Sequence, residues 1–215
     1  MQLKSDDIRD GQPIDAEFAF ARPDSEQHMA LSDNVSPHLA WSGAPDGTRS
    51  FAVLCVDPDV PSVADDVNQE GRTIPSTLKR VDFFHWVMID VPVDVTELKT
   101  GECGSGVTPG GRKQPPGPEG CRQGLNDYTD FLAGDEEMAG EYYGYDGPCP
   151  PWNDELVHHY RFTVYALDVE TLPVSPSFDG REAMEALRDH ILGQASITGT
   201  YTLNPDAFER GKGRD

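Results

Sequence analysis

The sequence predicts a β-rich fold in a single domain, and three observations carry that prediction. The 215 residues include 21 glycines and 18 prolines, so turns are frequent and long helices scarce. Segments 50–56, 83–91, 158–167 and 196–203 have strand character. Only one stretch, about 179–192, combines a helical apolar stripe with a capping signal. A hydrophobic content of 37% is enough to bury a core, and one domain is the expected count for this length.

Residues 1–40 read as an irregular lead-in with short edge strands, broken at Gly11, Pro13, Pro23 and Pro37. Phe51-Ala-Val-Leu-Cys-Val56 follows as a buried strand and runs into Asp57-Pro58-Asp59-Val60-Pro61. Proline cannot donate to a ladder, so the strand is expected to end there, with Asp57 and Asp59 on a rigid corner. Phe83–Val91 is apolar on both faces, as in a central strand covered from both sides. Strict alternation places His85 on one face with Phe83, Val87 and Ile89. The segment 93–157 is rich in Gly, Pro and acids; within it 102–122 reads as a mobile excursion and 129–144 as an insertion. In 158–167, His158, Tyr160, Phe162 and Val164 line one face, and His159, Arg161, Thr163 and Tyr165 the other. The helix is capped by Asp179, with Glu182 three residues on. Its stripe is Ala183, Met184, Leu187 and Ile191, its stop Gly193, and residues 204–215 form a tail.

Charge excludes some partners. With 38 acidic and 17 basic residues the net charge is −21, which opposes binding to a nucleic-acid backbone or an anionic membrane surface. There are 24 Asp to 14 Glu and 12 Arg to 5 Lys, a bias that fits either an ordinary acidic protein or adaptation to high salt. No run of 18 apolar residues predicts a membrane span, and the first 20 residues lack an apolar signal core, so a cytoplasmic location is expected. Cys55 reads as a small buried hydrophobe. Cys103 and Cys121 bracket the Gly/Pro-rich loop and could pair, though a cytoplasmic setting disfavours it. Cys149 is the fourth, and no Cys-x-x-Cys appears.

Common catalytic signatures are missing. Gly104-Ser-Gly106 is followed by Pro109 and lies in no strand–helix unit, Ser105 has no Gly-x-Ser-x-Gly frame, and neither a Walker sequence nor His-Glu-x-x-His occurs. What remains is a scattered constellation: Asp57 and Asp59, His85, Gly147-Pro148-Cys149-Pro150-Pro151, and His158 with Tyr160. Taken singly, these are a solvated turn, a satisfied core histidine, a rigid connector and strand residues.

In order along the chain, they make a pattern. Ser36-Pro-His-Leu-Ala-Trp-Ser-Gly43 and Gly47-Thr-Arg-Ser-Phe51 lead to Asp57-Pro-Asp-Val-Pro61. His85-Trp-Val-Met-Ile-Asp-Val-Pro92, Gly124-Leu-Asn-Asp-Tyr128, Gly147-Pro-Cys-Pro-Pro151, His158-His-Tyr160 and Phe162-Thr-Val-Tyr-Ala-Leu-Asp168 follow. Over residues 10–203 this resembles the phosphatidylethanolamine-binding protein family, or Raf-kinase-inhibitor-like proteins, in its bacterial and archaeal branch. The resemblance implies a β-sandwich of antiparallel or mixed sheets with a C-terminal helix, and a small anion pocket at one end. It implies Asp57, Asp59, His85, Gly147, Pro148, His158 and Tyr160 as ligand-binding residues, with no cofactor. The expected partners are a small phosphate-bearing ligand or a phosphorylated protein; some members regulate kinases or proteases, and a homodimer is expected. Two departures stand out: Val60 replaces the usual Ala, and His159 the usual Arg.

Two carboxylates repel an anion at short range, so an Asp is expected to orient a histidine and raise its pKa, letting imidazolium meet phosphate. Alternatively, an Asp takes the ammonium of a zwitterionic head group. The rival reading is a metal-dependent phosphoesterase using Asp57, Asp59, His85 and His158. A third treats the cluster as architectural.

Overall fold

The structure, a computed structural model, describes residues 1–207. Short strands open the chain: β1 (Gln2–Lys4), β2 (Ala21–Asp24), β3 (His28–Leu31) and β4 (Leu39–Ser42). The long strands β5 (Ser50–Pro61) and β6 (Arg80–Pro92) follow, then β7 (Glu97–Leu98), β8 (Arg122–Gln123) and one helical turn, α1 (Tyr128–Phe131). The chain continues with β9 (His158–Leu167), α2 (Gly180–Leu187) and β10 (Ile191–Tyr201). One sheet runs β10-β9-β5-β6-β8, a second β1-β4-β7, and β2 pairs with β3; every ladder is antiparallel.

Alternation along β5 builds both faces of the main sheet. Phe51, Val53 and Cys55 join a core with Leu39, Trp41 and Leu98 of the small sheet. Ala52, Leu54 and Val56 join a second core with Ala183 and Leu187 of α2. The fold is therefore a β-sandwich with a helix on the outer face of its larger sheet, as expected. The apolar reading of 83–91 follows from this double cover.

The element boundaries depart from expectation where backbone irregularities enter. β5 does not end at Asp57: Pro58 sits at a bulge, where the pairs Asp57–Phe83 and Val60–Val81 leave one extra residue on β5. A second bulge lies at His85, between the pairs Cys55–Trp86 and Val56–Phe84. His85 therefore packs with Phe83, Tyr128 and Tyr160, whereas Val87 and Ile89 point to the α2 side. His85 does share a face with Phe83, but the face expected to be shared with Val87 and Ile89 is overturned, because one inserted residue inverts strand parity.

Helix α2 is shorter than its sequence pattern. Asp179 caps it, accepting the Glu182 N–H at 2.8 Å, a contact of about 1 kcal/mol in comparable helices. Glu182 turns to Ser175 rather than back to the cap. A 3-10 turn at Arg188–His190 ends the helix, and Ile191 begins β10 instead of extending the stripe. Gly180 lets the helix approach the sheet, since a Cβ there would run into the Phe84 ring.

Within 102–122, Cys103 is buried and its N–H donates to Ser36 Oγ at 3.0 Å, so this part is packed onto the body. All four cysteines are free thiols, Cys103 and Cys121 included. Of the expected tail, Ala207 is buried and Asn204 Nδ2 donates to the Asp154 carbonyl at 2.6 Å. Residues 208–215 lie outside the described residues. Among the described residues no helix is long and apolar enough to cross a membrane.

Candidate functional site

A cavity of about 150 Å³ opens where the bulged ends of β5 and β6 meet the start of β9. Asp57, His85, His158 and Tyr160 line it together. Aromatic and apolar walls complete it, among them Phe20, Phe83, Tyr128, Phe131, Pro150 and Pro151.

His158 is wholly buried between two acids. Its Nδ1–H donates to Asp57 Oδ2 at 2.7 Å and its Nε2–H to Asp154 Oδ2 at 3.1 Å. Burial opposes charge on the ring, but the two carboxylates outweigh it and raise the pKa to about 9. Arg80 closes the chain of charges with a two-pronged contact to Asp154, 2.5 and 3.0 Å, and donates to the Asp59 carbonyl at 2.8 Å. The paired cations hold the Asp154 carboxyl below its ordinary range despite burial. The buried residues thus form an alternating Asp57–His158–Asp154–Arg80 array, and neither ring nitrogen of His158 is free for a ligand.

His85 differs. Its Nδ1–H donates to the Asp146 carbonyl at 2.8 Å, which leaves Nε2 for the cavity. Burial holds its pKa below the usual imidazole value, against the pull of Asp57, so the ring is neutral at pH 7. Tyr160 is fully buried, and among the described residues no group lies within full hydrogen-bond reach of its hydroxyl, although Asp57 interacts with it more weakly. Burial, then Asp57, push its pKa well up, which keeps the phenol protonated and able to donate.

Three expected ligand residues lie elsewhere. The bulge after Asp57 turns Asp59 out of the cavity, where its carboxylate accepts from the His159 N–H at 2.9 Å and bonds Nδ1 at 2.8 Å. The Asp57 and Asp59 side chains therefore do not share a wall. Asp57 Oδ1 instead accepts the Asp59 N–H at 2.8 Å, a local turn that aims the first acid inward. Gly147 and Pro148 are behind the wall. A Cβ on Gly147 would collide with the Phe18 carbonyl, and the Pro148 carbonyl accepts from Phe20 and Ala21 N–H groups at 2.9 and 3.3 Å.

The expectation that a carboxylate-raised histidine meets the anion is also corrected. His158 has the raised pKa but no spare donor; His85 faces the cavity but is neutral. Nor does the donor set suit the metal-dependent phosphoesterase. His158 offers no lone pair, Asp59 points away, and among the described residues no group of three His, Cys, Asp or Glu is arranged to hold a metal ion.

Sequence reasoning missed Asp154, Arg80, Asp146 and Tyr128. Tyr128 ended a motif already noticed, Gly124-Leu-Asn-Asp-Tyr128. Asp154 lies four residues before His158, but that spacing is meaningless in a loop. Arg80 is 74 residues from Asp154 and carried no signal.

Comparison with known proteins agrees with this architecture. The sequence profile of the family "phosphatidylethanolamine-binding protein" matches residues 4–202. The chain is 32% identical over 202 residues to the UPF0098 protein YbhB of Escherichia coli, covering 94% of this chain and all of that one. It is similar to the crystal structure of E. coli YbcL, described as a new member of the mammalian PEBP family, with 31% identity and a TM-score of 0.67 over 94% of this chain and 97% of that one. It also resembles CT736 of Chlamydia trachomatis, a putative homologue of that family, at 26% identity and a TM-score of 0.61, covering 93% and 95%. This chain belongs to the phosphatidylethanolamine-binding protein family.

Proposed function

We propose that this chain is a non-enzymatic binding protein whose cavity takes a small phosphate-bearing ligand, such as a phosphoethanolamine-like head group. Family membership supports a ligand-binding role in general. The observation that carries the finer reading is the Tyr160 hydroxyl, a buried donor on a wall of the cavity with no full hydrogen-bond partner among the described residues. Leaving such a group unpaired costs about 1–3 kcal/mol, which an acceptor oxygen from a ligand returns. The aromatic walls exclude water around that bond, and Asp57 is placed to meet a ligand ammonium or a phosphate O–H. The same chemistry would serve a phosphorylated partner protein and, through it, regulation of kinases or proteases.

Calorimetric titration with phosphoethanolamine tests the reading. Saturable binding that weakens about tenfold in Tyr160→Phe is expected for a hydrogen bond of this kind. Equal affinity of the two proteins, or no binding to the wild type, refutes it.

A further inference from the structure

We infer that Asp146, behind the cavity wall, is the positioning residue that sets the specificity of this site. It locks His85 as a hydrogen-bond acceptor, so the cavity selects a ligand that brings its own proton, a monoprotonated phosphate ester over a proton-free anion. The specificity half of this inference rests on the ligand class proposed above.

Asp146 grips His85 twice through its backbone. Its N–H donates to the His85 carbonyl at 3.0 Å, and its carbonyl accepts the His85 Nδ1–H at 2.8 Å. A carbonyl can only accept, so this contact fixes the proton on Nδ1 and leaves a lone pair on Nε2. Its side chain anchors that backbone further. Asn34 Nδ2 donates to one carboxylate oxygen at 2.8 Å and Asn126 Nδ2 to the other, also at 2.8 Å. Asn34 Oδ1 in turn accepts the Gly147 N–H at 2.8 Å, and Asn126 Oδ1 the Tyr128 N–H at 3.1 Å. These contacts tie three irregular segments together, two of which also meet at an isolated antiparallel bridge between Leu125 and Tyr143.

The carboxylate is chemically specific to this job. It is buried, and burial raises its pKa to about 6 against the pull of the two asparagine amides and the more distant Arg112. A buried charge is costly unless hydrogen bonds or a counter-charge offset its desolvation. Two amide N–H groups converge on it, one on each oxygen, and an ionised acid, which only accepts, receives both most strongly. An amide of equal size would turn its own NH2 against one of the asparagines.

The consequence lies in the cavity. Near neutral pH, His85 Nε2 accepts, the Asp57 carboxylate accepts, and Tyr160 donates. A P–O–H group satisfies an acceptor while its other oxygens take the Tyr160 proton. A proton-free anion faces two acceptors and gains only one bond.

Two measurements test this. In ligand-free protein near neutral pH, ring 15N–1H correlations should show His85 protonated on Nδ1 alone, and Asp146→Asn should give mixed tautomers. The doubly protonated signature of His158 reports that each protein is folded. If Asp146→Asn does not fold, Asn34→Ala, which removes one of the two amides, should show the same mixing. A folded variant with His85 still wholly Nδ1-protonated overturns the positioning role. In the second measurement, at about pH 6, where roughly half of a phosphate monoester keeps its second proton, methyl phosphate should bind the wild type at least about tenfold more tightly than methyl sulfate, which is similar in shape but has no proton. That ratio should shrink in Asp146→Asn, and equal affinities in the wild type overturn the specificity. Failure of both probes to bind instead refutes the ligand class, while the tautomer result still judges the positioning role of Asp146.

Discussion

The Nδ1 of His158 lies 2.7 Å from Asp57 Oδ2, a fully buried contact that spans 101 residues of chain. It makes the first acid of the Asp-Pro-Asp corner a partner of an imidazolium, and so settles how a carboxylate can stand in an apolar cavity. With Asp154 on the other side of the ring and Arg80 beyond, no charge in the array is left alone.

Removing the ring should therefore cost more than its packing. In His158→Ala, Asp57 and Asp154 face each other across a void, and a loss on the order of 3–5 kcal/mol is expected for breaking a buried pair from one side. Urea denaturation gives the value; a loss below about 1 kcal/mol contradicts the array.

The same contacts predict a pH dependence. The folded pKa of His158 is about 9 against 6.5 for an ordinary imidazole, so its stabilisation is complete below pH 6.5 and is lost as pH rises through about 9. That difference amounts to on the order of 3 kcal/mol. Thermal melts between pH 7 and 10 should show the decline in the wild type and a flatter profile in His158→Gln.

Tyr160→Phe separates a structural from a binding role. Because the hydroxyl has no full hydrogen-bond partner among the described residues, its removal should leave stability unchanged or raise it by up to about 1–3 kcal/mol. A clear loss of stability would mean that the hydroxyl bonds within the protein.

Ligand affinity should fall as pH rises through the His85 pKa, which lies below 6.5. Below that pKa the ring gains an Nε2 donor and a positive charge toward the anion; above it both are gone. His85→Gln should lose the part of this pH dependence that comes from the ring, and a variant whose profile matches the wild type at every pH refutes it.

Gly147 acts by its lack of a side chain rather than as a ligand. Gly147→Ala places a methyl against the Phe18 carbonyl and should destabilise the fold by about 1–3 kcal/mol. A variant as stable as the wild type would show that this approach can relax freely.

Strand alternation and composition were enough for the β-rich class, for the two faces of His158–Leu167 and for the capping of α2 by Asp179, because these are local properties with short periods. The order of motifs carried the family and pointed to Asp57, His85, His158 and Tyr160, which the fold does bring to one cavity. The sequence alone did not reveal the parity of His85 and Asp59. Each depends on a single extra residue in a ladder, which becomes defined only when β5 and β6 pair. The proton placement was equally hidden: His158 is charged because Asp57, 101 residues away, and Asp154, four residues before it in an irregular loop, meet its two ring nitrogens. His85 is neutral because the Asp146 carbonyl holds its Nδ1–H and burial removes it from water. Sequence determined which groups are available for recognition; tertiary structure decided which of them donate and which accept, since that is set by partners that only the fold brings together.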